Sequence, residues 1–307
     1  MSREAGVFLL WLEWPEACFR ATESDEEYLR ELVDGKLRVI RVTTRREFIA
    51  LLPAATHILT WHFDHDWFGV ATQLRLLATP AAGRELIAWQ NPPINVRVHF
   101  GGFHGPIMAE SVAAFCLAWA RGFLRRRPST GLWPRSWLGD KCFTLAGTRA
   151  AIVGYGRIGR AIGAKLASLG VIVSGFSRAN IADLPQYAES ADWLILALPS
   201  DTGTDNILNA ELIEHLPKRA AVINVGRGNA VDEDALASAL ASGRIAAAYL
   251  DVFKSEPTQL NTAQAAGSVK HIYELDLPTL FAMPHSSAFS PDYVKACIKE
   301  LKDDGCI

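Results

Sequence analysis

A two-domain α/β protein built on doubly wound parallel sheets is what this sequence predicts, and three observations predict it. The chain has 307 residues, more than one hydrophobic core usually organises. From Arg149 onward, short apolar runs alternate with helical stretches in a strand, helix, strand, helix rhythm. Between the first of those runs and its helix lies a glycine-rich turn, Gly154-Tyr155-Gly156-Arg157-Ile158-Gly159. Composition also changes near residue 140: eight of the nine tryptophans precede that point.

In chain order, residues 7–12, 37–42, 57–60, 74–78 and 96–99 are apolar runs broken by polar or Gly/Pro turns, spaced as the strands of a first α/β domain. Residues 108–124 form a long stretch of small and apolar residues that predicts a helix. It ends in Arg125-Arg126-Arg127 before Pro128, a basic helix C-terminus. Strands follow at 150–153, 171–176, 193–197, 220–225, 246–250 and 280–283, with helices at 158–169, 210–215 and 233–242. Six short apolar strands separated by helices make a parallel sheet covered on both faces.

Composition excludes several function classes. Half the residues are hydrophobic, 21% are charged and the formal net charge is -2, so neither a polyanion nor an anionic membrane surface is indicated as a partner. The three consecutive arginines lack the basic face that nucleic-acid binding needs. The apolar start, 7–12, is too short to span a bilayer and carries no small-residue cleavage site, so it is expected to be a buried strand. Five scattered cysteines (Cys18, Cys116, Cys142, Cys297, Cys306) point to free thiols in a reducing compartment, and a cytoplasmic location is expected. His62-Phe63-Asp64-His65-Asp66 has metal-ligand residue types, but no further ligand pattern follows, and no metal is expected.

The glycine turn carries the first functional argument. A Gly-x-Gly-x-x-Gly turn alone is a weak signal. Here an apolar strand precedes it and an amphipathic helix follows. The first glycine permits the tight turn, the second lets the backbone approach a pyrophosphate, and the third lets helix and strand pack closely. The helix N-terminus offers N–H groups and partial positive charge to the phosphates. The expected ligand is a nicotinamide dinucleotide held by Gly154, Tyr155, Gly156, Arg157, Ile158 and Gly159. The second strand usually ends in a carboxylate for the ribose hydroxyls. This one ends in Ser177-Arg178, a hydroxyl and a guanidinium that suit a 2′-phosphate, so NADP is expected in preference to NAD. The alternative is a solvent-exposed loop arginine in an NAD enzyme.

Downstream, Ile223-Asn224-Val225-Gly226-Arg227-Gly228 is followed by Val231-Asp232-Glu233-Asp234-Ala235-Leu236, then Leu250-Asp251-Val252-Phe253-Lys254-Ser255-Glu256-Pro257, then Met283-Pro284-His285-Ser286. In order, spacing and flanks these resemble the segments of D-isomer-specific 2-hydroxy acid dehydrogenases that carry the active-site arginine, glutamate and histidine. Residues 78–87 resemble the family's substrate loop more loosely, and Met108-Ala109-Glu110-Ser111-Val112 the start of its interdomain helix.

The resemblance implies two Rossmann-like domains, with the cofactor domain (111–286) inserted into a discontinuous substrate domain (1–110 and 287–307). It implies catalytic roles for Arg227, Glu256 and His285, and cofactor contacts by Asp251, Pro199 and Val225 besides those above. The N–H groups of Ala82 and Gly83, with Arg227, would hold the substrate, and a homodimer is implied. Arg84 departs from the family, which often has an aspartate nearby. The sequence stops at Ile307, so the family's closing helix and strand are expected to be shortened or absent.

The chemistry agrees with those roles. Reduction of a 2-oxo acid needs a hydride donor, a cation to hold the carboxylate and polarise the carbonyl, and an acid for the developing alkoxide. The fork of Arg227 matches a carboxylate and a carbonyl oxygen together. His285 has an intrinsic pKa of about 6.5, near operating pH. Glu256 paired with the imidazole favours its protonated form and fixes the ring. Taken singly, each residue reads as an ordinary surface arginine, loop glutamate or turn histidine; their joint spacing after the glycine turn is what counts. His99, His104 and Trp61 or Trp133 are further candidates to line a substrate, or else loop and core residues. The expected activity is hydride transfer between NAD(P)H and a small 2-oxo acid. The alternatives are a cofactor-sensing, corepressor-like binding protein on the same scaffold, and an inactive homologue.

Overall fold

The computed structural model describes residues 6–83, 87, 92–125, 138–139, 141–256 and 271–307. The chain divides into two units, Met1–His104 with Phe289–Ile307, and Gly105–Ala288.

The first unit begins with β1 (Gly6–Trp11), α1 (Glu23–Val33), β2 (Leu37–Arg41), α2 (Arg45–Leu51), β3 (Ala55–Thr60), β4 (Leu76–Thr79) and β5 (Arg97–Phe100). The strands form one parallel sheet in the order β2-β1-β3-β4-β5, leaving β5 at an edge. The two helices start where the sequence supplies caps. Thr22 makes a capping box with Asp25, and Thr44 accepts from the Glu47 N–H. Phe8, Leu9, Phe48, Ile58, Phe63 and Leu77 are buried on the two faces of the sheet.

In the second unit come α3 (His104–Ala120, its first residue in the first unit), β6 (Arg149–Val153), α4 (Arg157–Ser168), β7 (Ile172–Phe176), α5 (Leu184–Ala188), β8 (Trp193–Leu196), α6 (Ala210–His215), β9 (Ala221–Asn224), α7 (Glu233–Ala241), β10 (Ala247–Leu250) and β11 (Leu280–Ala282). Helix α3 starts four residues before the expected position. It ends at Ala120, and Gly122 follows at φ +75°. Six parallel strands run in the order β11-β10-β9-β8-β6-β7. Alternate residues of β6 face opposite layers: Ala151 and Val153 one core, Ala150 and Ile152 the other. Such burial on both faces produces the unbroken apolar runs of the sequence.

The register of this sheet positions everything that follows. Phe176 pairs with Val153, Val153 with Leu196, Leu196 with Asn224, Asn224 with Leu250, and Leu250 with Ala282. All six strands therefore end in one row, and the six loops after them leave the sheet along one edge. The order of the strands reverses between β6 and β8, the topological switch point where open α/β sheets bind ligands.

The chain returns to the first unit with α8 (Tyr293–Asp303), so a closing helix of eleven residues is present. Lys302 Nζ donates to the Leu32 carbonyl in the last turn of α1, and Tyr293 packs against Phe19 and Trp61.

Candidate active site

The glycine turn sits where β6 leaves the sheet. Gly154 has φ +92°, and a Cβ there would stand 2.5 Å from the Ala197 carbonyl oxygen, so only glycine fits. A Cβ on Gly159 would stand 2.3 Å from the Gly154 carbonyl oxygen, which is the close helix–strand approach expected of the third glycine. At Gly156, the N-cap of α4, nothing lies within 4 Å of a Cβ position. That open space beside a three-turn helix N-terminus fits a pyrophosphate. The Tyr155 ring turns inward and packs on Gly163 and Gly175.

Ser177 and Arg178 follow β7 on the same edge and are exposed. Asn180 Oδ1 accepts from both the Ser177 N–H (2.8 Å) and its hydroxyl (3.2 Å). Arg178 Nη2 lies 2.7 Å from Asp201 Oδ2 in the loop after β8. The other oxygen of Asp201 caps the short turn 202–204 by accepting from the Gly203 N–H. Pro199 is exposed in the same loop, and its carbonyl accepts from the Thr204 hydroxyl.

Beyond β9, Val225 is buried and its N–H donates to the Leu196 carbonyl. Asn224, fully buried at the strand end, accepts from the Gly226 N–H and donates to the Arg227 carbonyl at 3.0 Å. Its side chain thereby holds the turn that presents Arg227. A Cβ on Gly228 would lie 1.9 Å from the Phe253 carbonyl carbon, so the loops after β9 and β10 touch through backbone at that glycine. The contact keeps Arg227 near the segment bearing Glu256.

Asp251, at 1% exposure, follows β10. Its carboxylate accepts from the Ser286 N–H (2.8 Å) and the Ser287 N–H (3.0 Å), and its carbonyl accepts from the His285 N–H. Those bonds bend the loop after β11 so that His285 lies at φ +53°, a left-handed conformation uncommon outside glycine. The His285 ring then meets Glu256, with Nδ1 and Oε2 2.9 Å apart, while Glu256 Oε1 accepts from the Phe253 N–H at 3.1 Å.

The charges follow from this geometry. The hydrogen bond to Glu256 raises the His285 pKa; burial and the Arg227 charge oppose that, and the charges of Glu256 and Asp251 reinforce it. Burial works to raise Glu256, but the His285 bond and charge, the Phe253 N–H and the Arg227 charge together hold it below the usual carboxylate range. With Nδ1 turned to the carboxylate, Nε2 is the nitrogen that meets another molecule.

In the second unit, then, every described cofactor or catalytic candidate stands on a loop leaving the carboxyl edge of the sheet or in the first turn of α4. The matching family model is described as "D-isomer specific 2-hydroxyacid dehydrogenase, NAD binding domain", and it covers residues 113–287, more than half of the chain. The chain belongs to the D-isomer specific 2-hydroxyacid dehydrogenases. It is an oxidoreductase that moves a hydride between a nicotinamide cofactor and a 2-hydroxy acid or its 2-oxo counterpart.

Among curated relatives of this dehydrogenase, the glycerate dehydrogenase of Methylorubrum extorquens is 28% identical, covering 93% of this chain and 86% of its own. The hydroxyphenylpyruvate reductase of Plectranthus scutellarioides is also 28% identical, covering 75% and 79%. Among solved structures, a D-isomer specific 2-hydroxyacid dehydrogenase from Lactobacillus delbrueckii ssp. bulgaricus in its NAD complex superposes with TM-score 0.77 at 17% identity, over 98% of this chain and 96% of that one. The Xanthobacter autotrophicus Py2 enzyme with NADPH and MES gives 0.69 at 24%, over 98% and 96%.

The remaining candidate residues fall as follows. Ala82 and Gly83 lie in the loop after β4, where the Ala81 carbonyl accepts from the Gly101 N–H. Arg84, Trp133, Pro257, Arg126 and Arg127 lie outside the described residues. Trp61 is buried and its indole N–H donates to the Phe19 carbonyl, a core role. His104 Nε2 bonds the Tyr293 hydroxyl at 2.8 Å, and His99 faces α8. His62 pairs with Asp64, which also pairs with Arg45 at the surface. Sequence reasoning assigned nothing to Asn224 or Asp201. Asn224 had a signal, a lone amide ending an apolar strand. Asp201 had none, since only the folded loop brings it to Arg178.

Proposed function

We propose that this dehydrogenase reduces a small 2-oxo acid of the glyoxylate or hydroxypyruvate kind, prefers NADPH, and works through Arg227, His285 and Glu256. The observation that carries this reading is the 2.9 Å contact of His285 with Glu256, with the Arg227 charge acting on both groups. The nicotinamide, when bound, supplies the hydride to the carbonyl carbon. Arg227 holds the substrate carboxylate and polarises the carbonyl with its fork. His285 gives a proton from Nε2 to the carbonyl oxygen as negative charge grows there. Glu256 keeps the ring protonated and oriented, and Asp251 keeps the loop that carries it bent.

The named relatives, among them glycerate dehydrogenase and glyoxylate/hydroxypyruvate reductases, favour turnover of a small acid over a binding-only role. The open space at Gly156 and the exposed Ser177 and Arg178 favour the nucleotide assignment. We assign the cofactor role to Gly105–Ala288 and the substrate-domain role to the other unit. All five cysteines are free thiols, which favours a reducing, cytoplasmic setting. Among the described residues no helix is long and apolar enough to cross a membrane.

The test is loss of reduced-cofactor absorbance with a panel of 2-oxo acids. Arg227→Ala is expected to lose most of kcat/KM with nucleotide affinity near wild type, and lysine to rescue only part, lacking the bidentate fork. Unchanged turnover in Arg227→Ala removes that residue from the site. A chain that binds NADPH and reduces no 2-oxo acid is a binding protein instead.

A homodimer through the second unit is the corresponding assembly. Helix α3 is apolar on most sides, and Leu117, Phe123 (82% exposed) and Phe143 are exposed large apolar residues near its C-terminal half. Sedimentation of Phe123→Glu is expected to show a monomer, and an unchanged sedimentation coefficient places the contact elsewhere.

A further inference from the structure

One side-chain cluster of the first unit lies outside all of the active-site residues. His99 is buried on the edge strand β5, and the last turn of α8 brings Glu300 and Asp304 to it. Ring Nε2 is 3.4 Å from Glu300 Oε2. Ring Nδ1 is 4.0 Å from Asp304 Oδ2 and 3.8 Å from Cys306 Sγ. Ligand-type atoms of His99, Glu300 and Asp304 all lie within 4.8 Å of one another.

Backbone geometry builds the cluster. Helix α8 ends in a Schellman motif: Gly305 has φ +64°, its N–H donates to the Lys302 carbonyl, and the Cys306 N–H donates to the Leu301 carbonyl at 2.8 Å. That motif fixes Asp304 and Cys306 on either side of the glycine. Arg97, two residues before His99 and so on the same face of β5, donates to the Asp304 and Gly305 carbonyls and ties the turn to the strand. Both oxygens of Glu300 accept from the Gly102 N–H.

We propose that His99 Nδ1, the Asp304 carboxylate and the Cys306 thiolate form a binding site for a divalent transition-metal ion of the zinc type, with Glu300 as the carboxylate on the far ring nitrogen. A tetrahedral ion with bonds of about 2.0–2.3 Å sets its ligand atoms roughly 3.3–3.7 Å apart. The gaps around Nδ1 are within a few tenths of an ångström of that spacing. The 4.0 Å nitrogen–oxygen gap is too long for a hydrogen bond.

A mixed nitrogen, oxygen and sulfur donor set suits zinc rather than calcium or magnesium, which take oxygen ligands. The Glu300 contact supplies the other usual feature of such a site, a carboxylate accepting the second ring N–H so that the remaining lone pair points at the metal. Burial raises the Cys306 pKa, against the Arg97 charge, and the two acids raise it further, so the metal-free thiol keeps its proton. Metal binding displaces that proton to solvent as the sulfur–metal bond forms. The site joins β5 to a helix about two hundred positions away in sequence, so its role is structural: it pins α8 to the sheet edge.

The test uses the full chain, freed of metal by a chelator and titrated with Co²⁺ and then Zn²⁺. One Co²⁺ per chain is expected, with a near-ultraviolet thiolate-to-cobalt absorption band that Zn²⁺ abolishes by displacement. Cys306→Ser is expected to lose the band and keep its turnover. Glu300→Gln is expected to weaken binding by about 10- to 100-fold. Zn²⁺ should raise the unfolding temperature of wild type and not of Cys306→Ser, a mild change that tests the site even if His99→Gln fails to fold. Absence of the band overturns the proposal. So does a band that survives Cys306→Ser, which belongs to another thiol. No metal binding at all leaves the cluster as a His99–Glu300 contact and the proposal wrong.

Discussion

In the proposed preference for NADPH, Arg178 is the residue whose charge decides, and two anions would compete for it. Its ion pair with Asp201 is surface-exposed, with Arg178 itself 87% exposed, and such pairs contribute about 0–1 kcal/mol. A charge-assisted contact to a 2′-phosphate contributes about 1.5–3 kcal/mol, roughly 10- to 100-fold in affinity. On these magnitudes the proposed 2′-phosphate contact outweighs the ion pair, with its advantage trimmed by Asp201. Arg178→Ala is expected to weaken NADPH by about that factor and leave NADH nearly unchanged, while Ser177→Asp reverses the preference. Asp201→Asn should tighten NADPH by up to about fivefold. Equal affinities of the wild type for NADH and NADPH at moderate salt would show that Arg178 serves Asp201 alone. At the other end of the sheet edge, His285 has a raised pKa because Glu256 favours imidazolium. In the proposed mechanism the reductive rate needs the protonated ring, so it should hold at low pH and fall as pH rises through that raised value. Glu256→Gln removes the charge, and the fall should begin at lower pH. A pH profile that Glu256→Gln does not move argues against the pairing.

At the scale of elements, the strands and the loops at their carboxyl ends were legible in the sequence for a single reason. Strands buried on both faces must be apolar throughout, so residues 150–153, 193–197 and 246–250 announce themselves, and Gly154 and Asp251, which end the first and last of these runs, mark the site edge. Helix α1 was not legible because Leu29 and Val33 are its only buried apolar residues, and α8 because the resemblance made a shortened or absent closing helix the expectation, although five of its eleven residues are buried. Contacts between loops were also hidden. Nothing in the string Gly226-Arg227-Gly228 reveals that Gly228 lies against the Phe253 backbone, or that Asp251 spends its carboxylate on Ser286 and Ser287. Gly228→Ala tests that contact. A methyl group 1.9 Å from a carbonyl carbon forces the loops after β9 and β10 apart, and overpacking of this kind costs about 1–3 kcal/mol. The variant should melt at lower temperature and lose turnover more than nucleotide affinity, because Arg227 and Glu256 separate while the glycine turn at Gly154 is untouched. A variant with wild-type melting and turnover means the two loops do not touch as described.

For the whole molecule, three hydrophobic clusters among the described residues each lie within a single unit. The second unit's two clusters, one centred on Val153, Leu194 and Leu250 and the other on Ile152, Ile195 and Phe115, contain no residue of the first unit. The cluster of Phe48, Ile58 and Leu77 contains none of the second. A unit that owns its core is able to fold alone. All residues assigned to the nucleotide, from Gly154 to Asp251, lie within Gly105–Ala288, and the hydrogen bonds that shape their loops come from within that range. The glycine turn, the Arg178 cation and the helix α4 N-terminus should therefore survive excision of the first unit. Residues 105–288 expressed alone are expected to give a cooperative melting transition and to bind NADPH within about 1.4 kcal/mol, a factor of ten, of the full chain. Saturation at a hundred times Kd should then stabilise the isolated unit by about 2.7 kcal/mol, visible as a rise in melting temperature. A fragment that melts cooperatively but binds NADPH more than about a hundredfold more weakly would mean that nucleotide affinity depends on the first unit, and that the loop geometry of the second unit is not sufficient for it.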